Sequence, residues 1–310
     1  MSRRVRVRSL AKINLDLRVL HKRPDGFHEL RTIFQTVSLA DSLDIEYAPG
    51  RTQINLNSNL NISDNIVVKA AHSVLRATRS SGRIGFVLRK SIPLGAGLGG
   101  GSSNAAAVLL ALPPMIGKPL SPGKLLELAE ELGSDVPFFL LGGTAAGFGR
   151  GTELYPLADL PGRPALLVTP GIHCSTPDAY QALARMPAGQ GFRPPRDFEL
   201  IAWQASDAYT NDFETVVFRQ HPQLKSIKRK LLQLGARPAL MSGSGSTVFG
   251  IFEDRPARDR AAVWFRRDLS GEKVHCVTMV SRRRYRALWR RQLQEFVDST
   301  VWPLPDRYAK

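Results

Sequence analysis

Residues 93–107 read Pro-Leu-Gly-Ala-Gly-Leu-Gly-Gly-Gly-Ser-Ser-Asn-Ala-Ala-Ala, a glycine run that leads straight into an alanine-rich segment. Gly95, Gly97, Gly99, Gly100 and Gly101 let backbone N–H groups approach phosphate oxygens closely. The alanines predict a helix to about Leu112, and its N-terminus adds the positive end of a dipole. Ser102, Ser103 and Asn104 supply further donors in the first turn. The chemistry implied is a phosphate cradle. A P-loop would end in Gly-Lys-Ser/Thr, and no lysine stands here. Residues 95–100 match G-x-G-x-x-G, but a dinucleotide-binding domain wants an acidic residue about 20 positions on. That region, 115–120, reads Met-Ile-Gly-Lys-Pro-Leu. The H-R-D and D-F-G signatures of protein kinases are absent. A flexible linker would not normally abut a helix start so well formed.

Around this loop the pattern of apolar residues predicts the elements that must hold it. Residues 5–17 alternate, with Ala11, Ile13, Leu15 and Leu17 on one face and Lys12, Asn14 and Asp16 on the other, as in a half-buried strand. Leu43, Ile45 and Tyr47 alternate likewise, as do Ile84, Phe86 and Leu88. Ser63 or Asp64 is placed to cap a helix bearing Val67, Ala71, Val74 and Leu75. Leu125, Leu128, Ala129 and Leu132 mark another helix, closed by Gly133. A Pro/Gly-rich loop over 156–164 reads as a domain boundary. A strand (165–168), a helix (176–184), a second Pro/Gly-rich stretch (187–195), a basic helix (224–234) and a strand (248–252) follow. Strands and helices mix without regular alternation, so the class expected is α+β. The domains expected are 1–155, 156–280 and a basic amphipathic extension over 281–310.

Composition narrows the partners. The chain has 310 residues, 43% of them hydrophobic, enough for two packed domains. Its formal net charge of +16 attracts polyanions in general: nucleic acid, an anionic membrane surface or phosphorylated small molecules. No finger spacing or RNA-recognition signature is present, and the basic residues interleave along the chain, so nucleic acid is not the expected partner. Cys174 and Cys276 lie far apart and read as free thiols; the scattered histidines suggest no metal site. Residues 1–12 are basic without the apolar stretch of a signal peptide, and no run is long enough to span a membrane. A cytoplasmic protein is expected, with its oligomeric state open.

The glycine loop closely resembles the second motif of the GHMP kinases, the superfamily of galactokinase and of homoserine, mevalonate and phosphomevalonate kinases. Lys12-Ile-Asn-Leu15 resembles the first motif, and residues 241–249, Met-Ser-Gly-Ser-Gly-Ser-Thr-Val-Phe, resemble the third. Mevalonate and galactose kinases usually follow the first motif with Gly-Glu-His, whereas this chain continues Asp16-Leu-Arg-Val-Leu20. Ala11-Lys-Ile-Asn-Leu15, Asp25-Gly-Phe-His-Glu-Leu30, Gly133-Ser-Asp-Val-Pro137 and Asn211-Asp-Phe-Glu214 together resemble a particular branch. Its members phosphorylate a cytidine-diphosphate-linked methylerythritol in non-mevalonate isoprenoid synthesis. The resemblance implies a ribosomal-S5-like N-terminal domain and a GHMP C-terminal domain with a substrate cleft between them. It also implies ATP as co-substrate, with Mg2+, and a small-molecule alcohol whose 2-hydroxyl accepts the phosphoryl group.

Residue roles follow from the same resemblance. Asp135, which by itself reads equally as a helix-start acid facing a dipole, is implied as the base that takes the hydroxyl proton. Lys12 is implied to stabilise that base and the transferring charge, with Asn14 beside it. Phe27, where relatives commonly carry tyrosine, and Tyr180 are expected to sandwich the cytosine, and His28 to read its edge. Thr176, Gly243, Ser244 and Gly245 are expected on the substrate side. Asn65 and Lys90 are expected on the adenine side, and Pro93 and Leu98 beside the loop glycines on the phosphates. Magnesium ligands are not evident. In the extension, Tyr285, Leu288, Trp289, Leu293 and Phe296 form an apolar stripe opposite a basic side. That stripe is expected to dock on the C-terminal domain or on a second subunit, with no part in catalysis.

Overall fold

The structure, a computed structural model, describes residues 2–186, 209–268 and 273–297. The Pro/Gly-rich stretch expected over 187–195 and the end of the basic extension lie outside the described residues. The first half comprises β1 (Arg3–Lys22), β2 (His28–Ala48), β3 (Gln53–Ser58), α1 (Ile66–Thr78), β4 (Arg83–Arg89) and α2 (Gly100–Ile116). It continues through α3 (Pro122–Leu132), α4 (Val136–Leu141), β5 (Thr144–Phe148) and β6 (Glu153–Pro156). The second half comprises β7 (Pro164–Thr169), α5 (Thr176–Ala184), α6 (Glu214–Gln220), α7 (Pro222–Gln233) and β8 (Ala239–Met241). Then come β9 (Val248–Ile251), α8 (Arg255–Asp268), β10 (Lys273–Thr278) and α9 (Arg282–Leu293).

β1 and β2 form a long antiparallel hairpin that runs beyond the 5–17 expected from alternation, from Arg3 opposite Tyr47 to Lys22 opposite His28. Near its start β1 alternates as read, with Val5 and Val7 buried and Arg4 and Arg6 exposed. Register shifts near Leu10, Asn14 and Val19 re-aim its later side chains. The polar face of Lys12, Asn14 and Asp16 is buried, not solvated as a half-buried strand would leave it. The reason is layering. The opposite face, Ala11, Ile13 and Leu15, packs on Leu167, Leu240 and Phe249 of a second sheet, and the polar face turns into the space between the loops.

The first sheet runs β3-β4-β2-β5-β6, with β1 on β2; the second runs β10-β7-β9-β8. α1 and α2 pack on the far face of the first sheet. Helices α5–α8 cover the far face of the second. The layers are therefore helices, sheet, sheet, helices, an α+β arrangement as read from the sequence. α2 is buried along nearly its whole length and continues past Leu112 to Ile116. Pro113 and Pro114 fall in its last turn, and Gly117 ends it in the left-handed region with its N–H on their carbonyls.

Two local expectations need correction. The cap of α1 is Asn65, not Ser63 or Asp64: its extended backbone brings the side-chain oxygen 3.0 Å from Val67 N–H. Asp64 has φ +52° and pairs instead with Lys69 at the surface. The apolar stripe of α9 docks on neither the second sheet's domain nor another subunit. Tyr285, Trp289 and Leu293 join the core of the first half. Arg282 leads them there by hydrogen-bonding the carbonyls of Thr144 and Leu157.

Candidate active site

A cleft of about 880 Å³ opens between the two halves, and all three glycine-rich or strand motifs reach it. β1 supplies Lys12 and Asn14. The Lys12 backbone N–H donates to Leu98 O at 3.0 Å, joining the strand to the glycine loop. Ser242 Oγ donates to Gly97 O at 2.8 Å, and the Asn14 N–H donates to Ser242 Oγ at 3.3 Å. One serine hydroxyl thus couples the loop between β8 and β9 to both other elements. Gly97, at φ +75°, has to be glycine: a Cβ there would lie 2.0 Å from Ser242 O.

Lys12 Nζ stands 3.3 Å from Asp135 Oδ2 and donates to Asn14 Oδ1 at 2.6 Å. Asn14 Nδ2 donates onward to Thr32 Oγ1 at 2.8 Å, so the lysine is held from behind. Its side chain is only 4% exposed, while that of Asp135 is 35% exposed. Asp135 precedes α4 but makes no side-chain cap bond. Read either as a helix-start acid facing a dipole or as the base, it stands at the start of α4 and also lines the cleft.

At the start of α2 the first intrahelical bond runs from Ser103 N–H to Gly99 O at 2.9 Å. The N–H groups of Gly100, Gly101 and Ser102 therefore precede the helical ladder and have no partner within it. Ser103 and Asn104 do not offer their side chains to phosphates as expected. Both are buried: Ser103 Oγ donates to Leu10 O at 2.7 Å, and Asn104 Nδ2 donates to Ser9 Oγ at 2.6 Å and to Asp41. Lys90 is not solvated either. Its ammonium lies under the loop, bonded to Asp41 and to Asn104 Oδ1 at 3.0 Å. Asp41 also accepts from the N–H groups of Ser91 and Ile92, at 2.7 and 2.8 Å, and so anchors the entry to the loop. Leu98 is buried, Pro93 half-buried, and Asn65 serves as the α1 cap. None of these three, nor Lys90, lines the open cleft.

The other end of the cleft is aromatic. Phe27 and Tyr180, the rings expected to sandwich the cytosine, both line it, Tyr180 from α5. The Tyr180 ring stacks on His28, with centroids 4.6 Å apart and planes at 12°, and meets Phe213 edge-on. Phe27 is 48% exposed and carries the Arg150 guanidinium 3.7 Å over its face. Burial, and then the charge of Lys22, hold the His28 imidazole below its ordinary pKa. Burial, and then the nearby Asp135 carboxylate, push the Tyr180 phenol up. Both rings are thus neutral near pH 7. Across the cleft Thr176 Oγ1 and Ser244 Oγ share a hydrogen bond of 2.6 Å, flanked by Gly243 and Gly245.

Arg150 and Asp41 went unread in the sequence, and Ser242 was read only as part of the 241–249 motif, without a role of its own. Arg150 lies in Phe148-Gly-Arg-Gly151, whose paired glycines hint at a turn but single out no arginine among so many. Asn211 and Glu214, singled out as a motif, act as struts: Asn211 Nδ2 donates to Met241 O and Gly243 O, at 2.7 and 2.8 Å. Glu214 accepts from Met241 N–H. Among the described residues no three acidic, histidine or cysteine side chains converge as a metal site.

The chain is similar to known proteins over most of its length. Residues 65–143 match the GHMP kinases N terminal domain and residues 181–267 match the GHMP kinases C terminal domain. The chain is 54% identical to a 4-diphosphocytidyl-2-C-methyl-D-erythritol kinase of Solibacter usitatus, covering 99% of this chain and 98% of that one. It is 41% identical to the same-named protein of Thermus thermophilus, covering 81% and 89%. A crystal structure of 4-(cytidine 5'-diphospho)-2C-methyl-D-erythritol kinase, 38% identical, superposes with a TM-score of 0.75 over 90% of this chain and 99% of that one. A homoserine kinase from Cytophaga hutchinsonii, at 18% identity and TM-score 0.66, shares the fold over 90% and 95%.

Proposed function

The chain belongs to the 4-diphosphocytidyl-2-C-methyl-D-erythritol kinase family of the GHMP kinases, and from that premise we infer its reaction. It transfers the γ-phosphoryl group of ATP to the 2-hydroxyl of 4-diphosphocytidyl-2-C-methyl-D-erythritol, a step of non-mevalonate isoprenoid synthesis. The observation that carries the mechanism is the Lys12–Asp135 pair, 3.3 Å apart, beside the open N–H groups that begin α2.

Asp135 accepts the hydroxyl proton as the substrate oxygen attacks the γ-phosphorus; the bond to the β-γ bridging oxygen breaks and ADP leaves. Phosphoryl transfer asks for positioning and charge stabilisation more than covalent help. The N–H groups of Gly100, Gly101 and Ser102 cradle phosphate oxygens at the positive end of α2. Lys12, held on Asn14, stands ready beside the transferring charge. Lys90 and Asn65 act from behind, by fixing the loop and the start of α1 on the adenine side.

Asp135 is the one carboxylate lining the cleft among the described residues. That fits Mg2+ bound mainly by nucleotide phosphates and water, with at most this carboxylate from the protein. The ion offsets phosphate charge when bound. At the far end, Phe27, His28 and Tyr180 receive the cytosine, Arg150 meets the diphosphate charge, and Thr176 with the 243–245 loop closes over the substrate. The domains are taken as 1–155 and 156–280, each enclosing one of the matched regions, with 281–310 as an extension. We place the reaction in the cytoplasm, where the free thiols of Cys174 and Cys276 stay reduced.

Incubation with ATP, magnesium and the cytidylyl alcohol, followed by phosphorus NMR, tests the reading. A new phosphomonoester resonance appearing in step with ADP is expected. ADP formation that is unchanged by omitting the cytidylyl alcohol contradicts it.

A further inference from the structure

The helix that carries the base is short. α4 spans six residues, Val136–Leu141, and a single turn or two has little stability of its own. Its position, and with it that of Asp135, is set by what grips its two sides. On one side Phe139 presses against the glycine loop, where a Cβ added at Gly99 would lie 2.8 Å from its ring. Phe138 packs against Phe34, tilted by 31° with centroids 4.9 Å apart, and Lys12 Nζ lies 5.4 Å from the centre of that same Phe34 ring. On the other side stands α9.

The last carbonyls of a helix have no partner within it. In α4, Phe138 O accepts from Gly142 N–H at 2.8 Å. Phe139 O accepts from the hydroxyl of Tyr285, at 2.6 Å, from the first turn of α9. The Tyr285 ring lies so close to the end of α4 that a Cβ at Gly142 would fall 2.1 Å from its Cδ1. Tyr285 is 1% exposed. At the N-terminus of α9, the Arg282 N–H donates to Asp159 Oδ1 at 2.7 Å and its side chain to Leu157 O at 3.2 Å. The tail thus reaches the base through one short helix, with Tyr285 at one end and Asp135 at the other.

We propose that Tyr285 is a positioning residue for the phosphoryl transfer: by bonding Phe139 O it fixes α4 along its axis and so sets Asp135 against Lys12 and the glycine loop. This rests on the reaction assigned above. A misplacement of about 1 Å at a reacting group can cost up to about a hundredfold in rate. The basic extension therefore has a part in catalysis, contrary to the expectation from its sequence.

The test uses the full-length chain, Tyr285→Phe, Leu293→Ala and a truncation after Ser281, assayed well below the melting temperature of each. Leu293 is buried on the same helix, roughly 12 Å further along its axis, at 1.5 Å per residue. Tyr285→Phe keeps the ring and removes the hydroxyl. Its kcat should fall about fivefold, or about 1 kcal/mol at 1.36 kcal/mol per tenfold. KM for ATP and for the cytidylyl alcohol should stay within about twofold. Leu293→Ala should lower the melting temperature at least as much while keeping kcat within about 1.5-fold. The truncated chain should lose more kcat than Tyr285→Phe; if it does not fold, the tyrosine variant decides. A fall in Tyr285→Phe smaller than about twofold, or an equal fall in Leu293→Ala, overturns the role. An inactive wild type sinks the assigned reaction and this inference together; an active wild type beside an unaffected Tyr285→Phe sinks the positioning role alone.

Discussion

The two ends of the cleft are built differently. At the phosphoryl end Lys12 is almost wholly buried, is held by Asn14, and already sits 3.3 Å from Asp135. The glycine loop is pinned by Asp41, Ser242 and the backbone of β1. At the cytosine end Phe27 lies in the open under Arg150, and His28 stacks on the ring that is expected to meet the base. At the first end the reacting pair is already in contact, whereas at the second one ring is stacked and the other stands exposed. Rate should therefore live in the pinned end, and binding in the other.

The largest effect should come from Asp135→Asn, which keeps shape and removes the proton acceptor. A fall in kcat of roughly 10²–10⁴-fold, the usual range for a general base, is expected with an unchanged melting curve. A variant that retains more than half of the wild-type kcat would remove Asp135 from the chemistry and break the comparison at its stronger end. Lys12→Met should follow, at roughly 10²–10³-fold in kcat. Its neighbour Asp135 is partly open to water, so removing the ammonium does not strand a buried charge. A rise in KM for ATP with kcat intact would make Lys12 a binding residue and blur the division.

Much of the pinned end was legible in the sequence because its signals are local. A glycine run followed by alanines states both a close approach and a helix start, and Asp135 is marked by its neighbours Val136 and Pro137. What pins it was not. Asp41 and Ser242 act across long sequence separations, and a strand's alternation says which residues share a face, not that the polar face is covered as well. β1 reads as half-solvated until the glycine loop, Asp135 and Thr210 are placed beside its polar face. The cytosine end was less legible still, since which of three rings stack depends on tertiary placement. α8 escaped notice because seven charged residues surround Ala261, Ala262 and Phe265, the few that are buried. The apolar stripe of α9 was readable at helical spacing, but the surface it covers was not.

Tyr180→Ala sharpens the comparison from the binding side. Base stacking is worth about 1–3 kcal/mol per base by alanine substitution. Here one neighbour of the Tyr180 ring is already His28, stacked at 4.6 Å, so the ring is partly covered before a base arrives. KM for the cytidylyl substrate should rise roughly tenfold, the lower part of the range that stacking allows, with KM for ATP within about twofold. Equal rises for both substrates would mean that the ring supports the cleft as a whole.

The smallest effect expected is a pH dependence at His28. Burial first, and then Lys22, hold its pKa below the ordinary 6.5, so the folded state favours the neutral ring stacked on Tyr180. Below about pH 6.5 the unfolded chain takes up a proton that the folded one resists. The sign follows from that difference: the contribution to stability is full above 6.5 and is lost as pH falls through the depressed folded value. Substrate binding should move the same way. A neutral imidazole offers one donor and one acceptor to the cytosine edge, whereas the charged ring offers donors only. One hydrogen bond is worth about 1 kcal/mol net, so KM for the cytidylyl substrate should be flat above 6.5 and rise at most about fivefold below it. His28→Ala should raise KM at neutral pH and abolish that acid limb, while leaving the pH dependence of KM for ATP alone. An acid limb of the same size in wild type and variant would assign it to another group, and the cytosine end would then owe nothing to this histidine's charge.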